Sequence, residues 1–133
     1  MSWNPKEQDA LKHALDRLSG RLGRRVHYDA LLSQWRSFVA EVERGYSWTL
    51  YEYQNDLSVR DQIDEILKAL PASMRHQLSA PLAEADRRFE DATAPCARPV
   101  IRGERRLGAW YRRVPKRAVG ELEDDLREEG LIA

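Results

Sequence analysis

A single cysteine, Cys96, is all the thiol chemistry this chain carries. One cysteine closes no intramolecular disulfide, so the fold must be held by packing alone. Histidine is almost as scarce: His13, His27 and His76 stand far apart. The spacings HxxxH, ExxH and CxxC are all missing, so no metal-ligand cluster is expected. GxSxG, GxxxxGK[ST] and GxGxxG are also absent, which removes the nucleophile elbow and the phosphate cradles, and GRLG at 20–23 is too short to replace them. Cys96 has no identifiable neighbouring base and reads as a spectator thiol. Carboxylates are plentiful, but the sequence ranks no pair of them for acid–base work. No cofactor is expected, and an enzyme is unsupported.

An excess of either charge is lacking too. Lys and Arg total 22 and so do Asp and Glu, so no global field draws the molecule to nucleic acid or to an anionic membrane. No stretch approaches the roughly 20 apolar residues of a membrane helix. Nothing at the start reads as a signal peptide, and with the cysteine usage this makes a reducing cytoplasm the expected location.

What is present is an ordinary mixture, 42% hydrophobic and 33% charged over 133 residues, the size of one domain that buries roughly two-thirds of its unfolded surface. The expected fold is therefore one mainly α domain over 1–133: a compact bundle of about five helices with a short arginine-rich β-hairpin or extended arm before the last. Asn4, Pro5 and Glu7 form a helix start, Leu11, Ala14, Leu15 and Leu18 share a face, and Gly20 is the expected stop. Tyr28, Leu31, Leu32, Trp35, Phe38, Val39 and Val42 repeat at three and four until Gly45, the clearest helical pattern in the chain.

Residues 45–64 read GYSWTLYEYQNDLSVRDQID, with Tyr46, Trp48, Tyr51 and Tyr53 crowded together. Thr49 and Glu52 form a capping box, and Leu50, Tyr53 and Leu57 share a face; a strand over YSWTLYEY is the competing reading. Charges at Arg60, Asp61 and Asp64 interrupt that stripe, which predicts a break near Asp56 to Ser58, with Ser58 and Asp61 capping a new helix. Ser73 is expected to cap the following helix and Pro81 to kink or restart it. PVIR and AWYRRV flank GERRLG as the arms of the hairpin, and Pro115 opens a last helix bearing Val119, Leu122 and Leu126. Trp35 and Phe38 are the expected central rings, with Tyr53 packed on them. Of the four crowded aromatics, roughly three are expected to be scaffold rather than site.

Two surfaces remain. The first is acidic and tyrosine-bearing: Tyr51, Glu52, Asn55, Asp56, Asp61, Asp64 and Glu65 around the middle helix. Acids near a helix start stabilise it locally, and Arg60 pairs with Asp56 or Asp64 at i, i+4, so a merely solvated face is the bland reading. The functional reading is a protein-binding face in which tyrosine gives rigid contact area. The second surface is basic: Arg98, Arg102, Arg105, Arg106, Arg112, Arg113, Lys116 and Arg117, with Trp110 and Tyr111 among them, face one acid, Glu104. Arg105, Arg106, Trp110, Arg112 and Arg113 have the composition of a nucleic-acid contact, but Glu121, Glu123, Asp124, Asp125, Glu128 and Glu129 follow and balance the arm.

The sequence thus predicts a small non-enzymatic cytoplasmic protein, monomer or homodimer, whose partner is another protein. In size and class it has the character of inhibitor, immunity, antitoxin-type or regulatory proteins. Nucleic-acid binding by the 98–117 arm is the alternative.

Overall fold

The computed structural model describes residues 3–101 and 108–133. Among them five α-helices and one two-stranded ribbon follow in order: α1 Pro5–Leu22, α2 Tyr28–Arg44, α3 Leu50–Lys68, α4 Ala72–Ala92, β1 Thr93–Pro95, a 3₁₀ turn Ala109–Arg112, β2 Arg113–Pro115 and α5 Gly120–Glu128. This is the mainly α bundle with a hairpin before its last helix that the periodicity predicts. Among the described residues no helix is long and apolar enough to cross a membrane.

α1 begins on a reciprocal capping box. The Asn4 side chain accepts from the Glu7 N–H at 2.8 Å and the Glu7 carboxylate accepts from the Asn4 N–H at 3.0 Å. The helix passes through Gly20 and stops only at Gly23, whose φ of 72° is the left-handed cap that a side chain resists. α2 buries the whole predicted stripe from Tyr28 to Val42 and ends at Gly45.

α3 overturns the expected break. It runs unbroken for 19 residues because Arg60 belongs to the buried stripe with Tyr53, Leu57, Ile63 and Leu67. Its guanidinium donates through Nε and Nη2 to the two oxygens of Asp86 on α4, at 3.0 and 2.9 Å. The same Asp86 accepts the Trp35 indole N–H at 2.9 Å, and the Trp110 ring lies 4.7 Å from the Arg60 guanidinium. A charge so paired and stacked sits in a core-facing row without interrupting it. Ser58 and Asp61 are therefore interior helix positions, and the Ser58 hydroxyl bonds the Asn55 carbonyl at 2.6 Å.

α4 likewise runs through Pro81 without restarting. Its N-cap position is Pro71, while Ser73, the expected cap, turns its hydroxyl to Glu7 at 3.3 Å. β1 and β2 pair antiparallel with Thr93 opposite Pro115, Ala94 opposite Val114 and Pro95 opposite Arg113. Pro99, Val100 and Ile101 of PVIR form no strand, Arg102 lies outside the described residues, and AWYR forms the 3₁₀ turn. Of GERRLG only Gly108 is described; a Cβ there would overlap the Trp110 ring, with atoms at 2.1 Å, so glycine is what lets that ring fold back.

The last helix starts later than Pro115. The Tyr46 N–H donates to the Arg117 carbonyl and the Tyr46 carbonyl accepts the Val119 N–H, both at 3.1 Å, which holds Ala118 and Val119 extended against the α2–α3 link. Gly120, at φ 57° and close to Ser47, then makes the turn. Val119, expected inside, is exposed. α5 returns to the bundle by burying Leu122 and Leu126, and Asp125 accepts the Leu50 N–H at the start of α3 at 2.9 Å.

Five rings make the centre. Phe38 lies 5.4 Å from Trp35, 5.6 Å from Tyr46, 5.6 Å from Tyr53 and 6.0 Å from Phe89, centroid to centroid. All five are buried. Tilted and edge contacts at these separations suit the aromatic quadrupole.

Candidate functional site

The crowded aromatics divide in two. Tyr46 and Tyr53 are interior, whereas Trp48 is 58% exposed and Tyr51 73% exposed. Trp48 departs from its expected scaffold role because the link leaves it no inner position: Tyr46 fills the core, and Gly120 approaches Ser47 closely. Thr49 then caps α3 by accepting the Glu52 N–H at 3.1 Å, and Tyr51 stands on the first turn facing outward.

The acidic residues are less free than their spacing suggests. Asp56 is half-buried and accepts the Tyr46 hydroxyl at 2.7 Å. Burial pushes its carboxyl above the ordinary value, the tyrosine bond opposes this, and the charges of Glu41 and Glu52 add to the rise. Asp61 is also raised, first by burial, against which the Tyr111 hydroxyl bond acts; the Trp110 indole lowers it further without reaching regular hydrogen-bond geometry. Asp64 pairs with Lys68 at 3.0 Å and, more loosely, Arg60 at 3.9 Å. Glu65 pairs with Arg21 at 2.6 Å. Glu52 and Asn55 are exposed.

Two hollows open beside this face. One, about 330 Å³, lies between α2 and α3 and is lined by Ser33, Gln34, Ser37, Phe38, Glu41, Asp56 and Val59. The other, about 510 Å³, lies between α3, the end of α1 and the chain near Tyr111, and is lined by Arg21, Leu22, Tyr51, Gln54, Asp61, Ile101 and Tyr111. Arg24, Asn55, Ser58 and Gln62 line both, so the hollows join along one ridge of α3. The Gln62 Oε1 atom is enclosed there and has no donor among the described residues. Buried acceptors are rarely left so.

The described residues of the basic arm are engaged in separate places. Arg105 and Arg106 lie outside the described residues. Arg113 donates to the Thr93 hydroxyl at 2.7 Å, the Thr93 carbonyl at 3.0 Å and the Glu90 carbonyl at 3.1 Å, tying down the end of α4. Arg98 caps the end of α5 through the Glu129 carbonyl. Trp110 is taken up by Arg60. Arg112 is exposed. Among the described residues no group of three or more His, Cys, Asp or Glu is placed to hold a metal ion. Sequence reasoning missed Trp48, Glu41 and the Arg60–Asp86 pair.

The raised carboxyls predict a pH dependence. A carboxyl whose folded pKa lies above its unfolded one binds protons more tightly when folded, so stability falls as pH rises from about the ordinary 3.8 through the folded value. Asp56→Asn and Asp61→Asn are each expected to remove that slope, the stability of variant over wild type growing with pH across that interval. Urea midpoints measured from pH 3.5 upward check this; a difference that shrinks with pH contradicts it.

Compared with known families, curated proteins and solved structures, the chain matches none.

Proposed function

We propose that this chain is a small non-enzymatic binding module, of inhibitor, immunity, antitoxin-type or regulatory character, that docks another protein in a reducing cytoplasm through the α3 face bearing Tyr51, Glu52 and Asn55. The observation that carries this reading is the placement of Trp48 and Tyr51. A fold that buries Trp35, Tyr46 and Tyr53 leaves these two rings in solvent three residues apart, beside a hollow that Tyr51 helps to line. Tyr and Trp are the side chains that most often carry docking energy, since each brings a large, stiff surface at small entropic cost. Asp56 and Asp61 form the floor of the face, while Asp64 and Glu65 lie at its far end in internal ion pairs.

The test is capture of the native partner. Tagged wild type and Trp48→Ala/Tyr51→Ala, expressed in the native cells, are compared by quantitative mass spectrometry. A protein retained by wild type and reduced at least about tenfold on the variant supports the reading, a loss that one well-placed aromatic anchor accounts for. Equal retention on both would overturn it.

A further inference from the structure

We draw no further inference here: the strongest candidate, the hollow between α3 and α4 lined by Arg60, Lys68 and Arg75, carries nothing because Arg60 Nη1, its donor without an acceptor among the described residues, is closed to solvent, and its open cations are surface side chains that no second observation ties to a ligand.

Discussion

Replacing Asp86 with alanine is expected to cost about 3–5 kcal/mol, the penalty for stranding a buried charge. The Arg60 side chain is 10% exposed and Asp86 takes two of its N–H groups. Asp86 also receives the Trp35 indole N–H, so alanine leaves both a buried guanidinium and a buried indole donor without their acceptor. A domain of this size is stable by about 5–15 kcal/mol in total, so the variant should be close to unfolding at mild urea. By contrast, Glu43→Ala breaks the exposed pair that Glu43 makes with Arg88 and should cost at most about 1 kcal/mol. Urea midpoints at one pH give both values. Equal, small losses would mean that Arg60 is not held in the interior as described.

Phe38→Ala should match that loss by a different route. The ring contacts four others at centroid separations of 5.4 to 6.0 Å, and deleting a central ring removes its transfer energy and leaves a cavity its neighbours cannot fill, about 3–5 kcal/mol. Tyr51→Ala, at 73% exposure, should change stability by no more than about 0.5 kcal/mol. The contrast separates scaffold from site among rings of similar size. It also makes loss of binding in the tyrosine variant interpretable, since that protein stays folded.

Much of the scaffold was legible because it is local. The Tyr28–Val42 stripe, the Asn4–Glu7 box and the Gly45 stop each depend on residues within a few positions of one another. Apart from the Gly20 stop and the Pro81 restart, the failures are non-local. Arg60 reads as an interruption until it is known that Asp86, on another helix, lies against it. Pro115 reads as a helix start, yet Tyr46 holds Ala118 and Val119 extended from across the fold. Asp56 and Asp61 read as free surface acids, but their hydroxyl partners, Tyr46 and Tyr111, come from the link before α3 and from the 3₁₀ turn. Glu41 is legible on α2 only as one more charged position, and the packing of α2 on α3 is what sets it beside Asp56 in one hollow. Tyr51 was legible because its stripe partners are polar, whereas Trp48 precedes the helix and its direction follows from tertiary contacts.

Hydrogen–deuterium exchange of the chain with and without its captured native partner tests the central claim most directly, because it reports the footprint without altering a side chain. The account predicts added protection over residues 48–56, with α5 and residues 108–117 unchanged. Protection falling instead on 108–117, with 48–56 exchanging as in the free protein, would contradict it.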